Sequence, residues 1–204
     1  QLPTLSVTDI CQSPFDTDVM YFCTGEVTGN SADIDGDGIY KSTDGGLTWS
    51  QLLATNNDDF DKNWCIRHDP NNANTVYVGT GGEGLFKSTD GGDSFEQVMT
   101  NSPKAHVTDL ILFDDGRVMA ALRNNGVFVS PDGSPGSFTE VFGGLPTNNF
   151  RRMQLAVCED QPNNVFVAYE DRRESTYDSG LKGIWKSTDG GETWNELPSN
   201  PEDD

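Results

Sequence analysis

The nine residues Lys41-Ser-Thr-Asp-Gly-Gly-Leu-Thr-Trp49 are the most informative stretch of the chain, because they recur along it with little change. They return as Lys87-Ser-Thr-Asp-Gly-Gly-Asp-Ser-Phe95 and as Lys186-Ser-Thr-Asp-Gly-Gly-Glu-Thr-Trp194. A degraded copy that is one residue longer, Val129-Ser-Pro-Asp-Gly-Ser-Pro-Gly-Ser-Phe138, lies between these two. We call the copies boxes one to four in chain order, so the degraded copy is box three. Repetition at this spacing indicates a row of similar structural units.

The residues around each box predict strands. The box aspartates are 46, 42 and 57 residues apart, which suits a unit of four short strands. Each box follows a triplet of glycine, an apolar residue and an aromatic residue. Upstream lie two further runs rich in Val, Ile and aromatic residues, separated by turn formers at 13–18, 69–74, 114–116 and 161–164. Each unit therefore reads strand, turn, strand, loop, strand, box, strand.

This pattern predicts an all-β fold built of four-stranded antiparallel blades. The predicted blades are 5–53, 62–99, 105–142 and 150–197, and the acidic residues 198–204 form a tail or linker. The box pattern, Ser-x-Asp-x-Gly-x-Thr-Trp, resembles the Asp-box or BNR repeat. That repeat occurs in the β-propellers of sialidases, sortilin-type ectodomains, xyloglucanase-like glycoside hydrolases and secreted Bacteroidetes proteins. The resemblance covers essentially the whole chain and implies a β-propeller.

Asp-box propellers usually close with six or more blades, and an open blade exposes a bare sheet edge. We therefore expect the four visible blades to be part of a larger propeller, or their edges to be covered by other copies of the chain. The start at Gln1 fits a mature terminus after signal-peptide cleavage, or a piece of a longer chain.

The box residues are predicted to be structural. Paired glycines supply the positive φ angles of a tight hairpin, and the Ser, Asp and Thr side chains can bond to their own turn. The closing Trp or Phe adds apolar area against the blade. The residues assigned this role are Ser42, Asp44, Gly46, Thr48, Trp49, Ser88, Asp90, Gly92, Ser94, Phe95, Ser130, Asp132, Phe138, Ser187, Asp189, Gly191, Thr193 and Trp194.

Composition and charge narrow the classes of partner. The 204 residues carry a formal net charge of −20, which disfavours nucleic acid and anionic membrane surfaces and favours cations such as Ca²⁺. No run of 18 apolar residues is present, so no membrane insertion is predicted. The cysteines have no CxxC spacing, and two interpretations stay open: they form two disulfides, or they are free buried thiols. These cysteines are Cys11, Cys23, Cys65 and Cys158.

One acidic loop matches a metal-binding pattern. Asp33-Ile-Asp35-Gly-Asp37-Gly38 has the form of the first half of an EF-hand loop. The twelfth position would be Asp44, which box one already uses, and no helix signal flanks the loop. Two interpretations stay open: Asp33, Asp35 and Asp37 bind Ca²⁺, or they form a solvated acidic turn.

No catalytic set stands out. Glu26, Glu83 and Glu170 follow the second strands, but single carboxylates are ordinary in so acidic a chain, and a glycoside hydrolase needs two that face one cleft. Trp64 has no aromatic equivalent in the other blades and is the candidate for contact with a ligand. Trp185 occupies the same position as three other aromatic residues, so we predict that it lies in the core.

The preferred function is a non-enzymatic, secreted or cell-surface module that binds protein or glycan or acts as a scaffold. One alternative is the N-terminal part of a glycoside hydrolase of the xyloglucanase-like type. The other is a structural subunit of an extracellular assembly. An enzyme should show paired carboxylates in one groove, and a binding module should show an exposed aromatic or charged patch.

Overall fold

The computed structural model describes residues 6–26, 34–100, 105–172 and 180–198. In these ranges the chain forms four groups of four antiparallel strands, which we call blades one to four. The predicted all-β architecture of four-stranded antiparallel blades is confirmed. The described part contains no helix with the length and apolar character needed to cross a membrane.

The strands of each blade pair in chain order. Blade one has β1 (Val7–Gln12), β2 (Met20–Thr24), β3 (Ile39–Ser42) and β4 (Ser50–Gln51), and blade two has β5 (Asn63–His68), β6 (Val76–Gly82), β7 (Leu85–Ser88) and β8 (Glu96–Met99). Blade three has β9 (Ala105–Leu112), β10 (Val118–Leu122), β11 (Gly126–Ser130) and β12 (Thr139–Val141), and blade four has β13 (Phe150–Cys158), β14 (Gln161–Asp171), β15 (Leu181–Ser187) and β16 (Asn195–Glu196). Two 3₁₀ helices, Leu53–Thr55 and Asp58–Phe60, connect blades one and two.

One predicted turn is wrong. Residues 161–164 contain proline and two asparagines, yet they belong to β14, which stays paired with β13 as far as Cys158 and Gln161. The chain reverses instead at Glu159 and Asp160, as a two-residue hairpin loop allows. A register shift next to Cys158 accommodates the longer strand.

Side chains alternate between the two faces of a strand, so each blade has two faces. One face of blades two to four packs against the preceding blade. The aromatic residue of each third strand lies at an equivalent position and is buried. Phe86 packs with Tyr21 of blade one, and Trp185 packs with Met119 of blade three. The prediction that Trp185 is a core residue is therefore confirmed. The full set of these aromatic residues is Tyr40, Phe86, Phe128 and Trp185.

A complete box is a hairpin turn closed by its own side chains. In box four the Ser187 hydroxyl donates to Asp189 Oδ1 (2.7 Å) and accepts from the Gly191 N–H (2.8 Å). Asp189 also accepts from the backbone N–H (2.9 Å) and the hydroxyl of Thr193 and from the Glu192 N–H (3.1 Å). Gly190 and Gly191 have φ values of 76° and 100°, a region that glycine adopts without a steric cost. Boxes one and two repeat these contacts.

The hydroxyl donors of the boxes favour the charged carboxylate. Donation from Ser94 lowers the pKa of Asp90 to about 2, and donation from Thr48 lowers the pKa of Asp44 below its usual range. In box three the extra residue changes this pattern, because the Ser137 hydroxyl contacts Ser130 instead of the aspartate. Asp132 keeps the N–H of Ser134 as a donor, which lowers its pKa as well.

The boxes also join neighbouring blades. The Gly91 carbonyl in box two accepts hydrogen bonds from Lys41 Nζ (2.8 Å) and from the Tyr21 hydroxyl (3.1 Å) of blade one. The Gly190 carbonyl in box four accepts from the Arg117 guanidinium of blade three (2.7 Å). A cation on one blade thus binds the box of the next blade, a contact that we call a latch.

Lys41 and Lys186 form a matched pair that tests the latch. Each ammonium lies over an aromatic ring, but Lys186 makes no hydrogen bond to a box carbonyl among the described residues. We expect Lys41→Met to lower the free energy of unfolding by about 1–2 kcal/mol, because a charged hydrogen bond is lost. Lys186→Met should change it by less than about 0.5 kcal/mol. Urea denaturation measures both, and equal losses would contradict the latch.

Candidate binding site

The first strand of each blade has one extra residue at one point of its pairing with the second strand. The pairing shifts register near the start of β1, β5 and β13, and at the corresponding point of the β9–β10 pair. The extra residues are Thr8, Trp64 and Thr108 in blades one to three, and in blade four the shift lies between Phe150 and Met153. Such β-bulges re-aim side chains and are frequent beside functional sites.

These bulges line a cavity of about 280 Å³, which we call the axial pocket. It lies where the first strands of the four blades contact one another, at the end of the blades opposite the boxes. The Trp64 ring is therefore part of the wall of a concave site. The lining residues are Thr8, Asp9, Trp64, Cys65, Arg67, Thr108, Asp109, Arg152 and Gln154.

Arg67 connects the blades at the floor of the axial pocket. Its guanidinium forms an ion pair with Asp9 of blade one and another, at 2.8 Å, with Asp109 of blade three. Asp109 is almost fully buried and also accepts from Gln154 Nε2 and from the Leu155 N–H (2.8 Å) of blade four. One cation and two carboxylates therefore link all four blades.

Burial controls the ionisation of the groups around Arg67. Burial raises the pKa of the Asp109 carboxyl, although backbone N–H donors and Arg67 act in the opposite direction. Burial likewise raises the pKa of the Cys65 thiol, and it raises the pKa of Cys11 and Cys23 to about 12. All four cysteines of the chain are free, and these three thiols stay protonated at neutral pH, so none of the three is a reactive nucleophile.

Trp64 differs from the residues at the equivalent bulges. The Thr8 and Thr108 hydroxyls donate to carbonyl groups of the paired strands, both at 3.3 Å. The Trp64 indole N–H is buried and has no hydrogen-bond partner among the described residues. Its ring is half-buried against the core between blades two and three, and the Arg152 guanidinium lies 5.9 Å from the ring centre. A donor and an aromatic face are thus both available at this site.

Two further cavities adjoin the axial pocket. One of about 360 Å³ shares Arg152 and Gln154 with it and extends past Glu170 of blade four. The other, of about 420 Å³, shares Arg67, opens toward the box end and is lined by polar and apolar residues in similar measure. Its wall includes His68, whose Nε2 is buried without a hydrogen-bond partner in the described part of the chain. Arg67 separates this cavity from the axial pocket.

The acidic loop before box one lies away from this pocket. Asp33 falls outside the described residues, and Asp35 is exposed. The Asp37 carboxylate accepts hydrogen bonds from the Tyr40 hydroxyl (2.6 Å) and from Gln51 Nε2 (2.9 Å). The described ranges contain no group of three or more His, Cys, Asp or Glu residues that could hold a metal ion. The Ca²⁺ site stays a prediction.

The sequence analysis identified Trp64 but missed the charged residues around it. A signal was present, because Val7-Thr-Asp-Ile10 and Val107-Thr-Asp-Leu110 place the same Thr-Asp pair inside an apolar first strand of two blades. An aspartate in such a strand is expected to be paired, since a buried lone charge is costly. Arg152 carried no comparable signal.

Comparison with known proteins finds one matching family and several similar structures. A family model described as DUF6242 beta propeller domain matches residues 67–204. An ancestral GH74 enzyme superposes with a TM-score of 0.72 at 22% identity, over 97% of this chain and 24% of its own. The GH74 xyloglucanase from Xanthomonas campestris gives 0.66 at 15% identity, over 95% and 38%. The extracellular domain of BT3049 from B. thetaiotaomicron gives 0.63 at 14% identity, over 97% and 25%.

These likenesses confirm the β-propeller fold, and at such identities they extend to the fold alone. The chain spans about a quarter to two fifths of the length of these proteins. No curated protein matches the sequence.

Replacing Arg67 tests the network at the pocket floor. Arg67→Met leaves the buried Asp109 carboxylate without its cation, and we expect a loss of about 3 kcal/mol in the free energy of unfolding near neutral pH. In the variant the folded-state pKa of Asp109 lies further above its unfolded value, so folding takes up a proton. The loss in the free energy of unfolding should therefore become smaller as the pH falls toward the pKa of the Asp109 carboxyl in the unfolded chain.

Urea denaturation across this pH range, with Arg123→Met as the control outside the pocket, measures the effect. A loss that stays constant with pH would contradict the role of Arg67.

Proposed function

This chain belongs to the DUF6242 beta propeller domain family, and we propose that it is a non-catalytic binding module of a secreted or cell-surface protein. The proposed ligand is a carbohydrate, and the proposed site is the axial pocket. The observation that carries the proposal is the Trp64 ring, held half-buried in the pocket wall by a β-bulge. An aromatic face suits the apolar face of a sugar ring, while nearby polar groups can bond its hydroxyls.

The state of the pocket carboxylates favours binding over hydrolysis. Glycoside hydrolysis needs one carboxyl group as an acid and a second as a base or nucleophile. Asp9 and Asp109 are the carboxylates that line the axial pocket, and both are held by Arg67 and by backbone N–H groups. Neither is free to activate water or to protonate a leaving group.

Export from the cytoplasm is part of the proposal. Its support is the fold shared with the extracellular domain of BT3049, together with the acidic composition. Fractionation of cells that express the native gene, followed by immunoblotting, tests it. We expect the protein in the medium or at the cell surface, and a protein confined to the cytoplasm would contradict this location.

A binding assay with one aromatic residue removed tests the function. We expect the protein to be retarded in gels that contain a soluble polysaccharide from a panel of neutral and acidic polymers. Trp64→Ala should weaken the retardation by about tenfold in dissociation constant, or about 1.4 kcal/mol, because the stacking face is lost. Phe142→Ala is the control, since Phe142 is exposed and lies outside the pocket.

Three results would overturn the proposal. The first is a wild-type protein that no polysaccharide of the panel retards, and the second is a Trp64→Ala variant that binds as well as the wild type. The third is the release of reducing ends from a panel polysaccharide, which would favour the glycoside hydrolase alternative.

A further inference from the structure

The strongest hydrogen-bond acceptors of the axial pocket are already occupied. Asp109 Oδ1 accepts from Arg67 (2.8 Å) and from the Leu110 N–H (2.9 Å), and its Oδ2 accepts from Gln154 and the Leu155 N–H. Asp9 Oδ2 accepts from Arg67 and from the Ile66 N–H (3.0 Å). Both oxygens of Asp109 thus have two donors each and accept nothing further, whereas Asp9 Oδ1 accepts from the Ile10 N–H (2.9 Å) and keeps one acceptor site.

The groups that remain free in the pocket are mainly donors. The Arg152 guanidinium lies over the Trp64 ring and forms no ion pair with a described residue. The Trp64 indole N–H is buried and has no partner among the described residues. A guanidinium can bind a carboxylate or a sulfate through two parallel hydrogen bonds. These donors therefore lack an acceptor, and an acceptor with a negative charge suits them best.

The charge of the pocket contrasts with that of the rest of the chain. Two arginines, Arg67 and Arg152, balance the two aspartates of the lining, whereas the whole chain has a formal net charge of −20. An anion is repelled by most of such a surface, so specific binding needs a local site. The lining of the axial pocket thus has no formal net charge, and one of its cations, Arg152, forms no ion pair within the described ranges.

We propose that the carbohydrate bound in the axial pocket carries an anionic group, a uronate carboxylate or a sulfate ester, which draws the Arg152 guanidinium away from the Trp64 ring so that the sugar ring stacks there. This inference rests on the proposed carbohydrate-binding function and names its ligand class. The indole N–H of Trp64, which lies in the plane of the ring, donates to an oxygen of an adjoining sugar unit of the same ligand. Arg67 does not bind the ligand; it occupies the carboxylates that would otherwise repel it.

A matched pair of ligands tests the inference. Calorimetric titration compares trigalacturonate with the same trisaccharide after reduction of its carboxylates to alcohols, and dextran sulfate is compared with dextran. We expect the wild type to prefer at least one charged ligand over its neutral partner by about tenfold or more. Preference for trigalacturonate assigns the group as a carboxylate, and preference for dextran sulfate alone assigns it as a sulfate.

Variants of Arg152 locate the effect. Arg152→Gln should abolish the preference, Arg152→Lys should keep part of it, and Arg123→Gln should leave it unchanged because Arg123 is not in the pocket wall. Arg152 is exposed, so its variants should match the wild type in thermal unfolding. If Arg152→Gln retains the full preference, the assignment to Arg152 is wrong.

The failures of the two proposals are distinguishable. One outcome is that the wild type binds charged and neutral ligands equally, with Trp64→Ala losing the binding of both. This result would contradict the proposal of an anionic group but would still support carbohydrate binding. The absence of binding to all four ligands and to the neutral and acidic polysaccharide panel would overturn both.

Discussion

The ion pairs of the Arg67 guanidinium with Asp9 and Asp109 are the interactions on which the centre of this molecule depends. Arg67 lies on blade two, pairs with carboxylates of blades one and three, and reaches blade four through the donors that share Asp109. Taking these charges out of water is costly, and only a nearly complete set of hydrogen bonds offsets the cost. The same guanidinium lines both the axial pocket and the second cavity, which opens toward the boxes.

The two ends of the blades have different tasks. At the box end, hydroxyls and N–H groups close each hairpin, and latch residues such as Lys41 and Arg117 bind the box of the next blade. At the opposite end, the β-bulges leave the first strands free to present side chains that the repeat does not specify. Rigid hairpins at one end thus allow variable residues at the other, which is where we locate the ligand.

The sequence was enough to predict the fold because the box is a local structure. Its hydrogen bonds join residues two to four positions apart, so the motif and its hairpin can be recognised from a short stretch. The prediction of a turn at 161–164 was wrong because Cys158 pairs with Gln161, which no local propensity encodes, so that the chain reverses at 159–160 and residues 162–164 are skipped in the pairing with β13. Trp64 could be singled out because it breaks the repeat.

The network around Arg67 could not be predicted in this way. Its bonds join residues 58, 42 and 45 positions apart, so they exist only once the blades are stacked. The sequence showed an acidic chain with many possible carboxylates, whereas the structure shows which two line the pocket and that both are occupied. This occupancy is the reason why we propose an anionic group on the glycan that the sequence analysis expected as a ligand.

The most direct test of this account is the indole N–H resonance of Trp64 in a nitrogen–proton correlation spectrum, recorded while trigalacturonate is added. The indoles of Trp49 and Trp194 are internal references, because each already donates to a box carbonyl at 3.0 Å. We predict that the Trp64 signal moves downfield as its N–H gains an acceptor, while the two reference signals stay in place. Binding of trigalacturonate with an unmoved Trp64 signal would contradict the account.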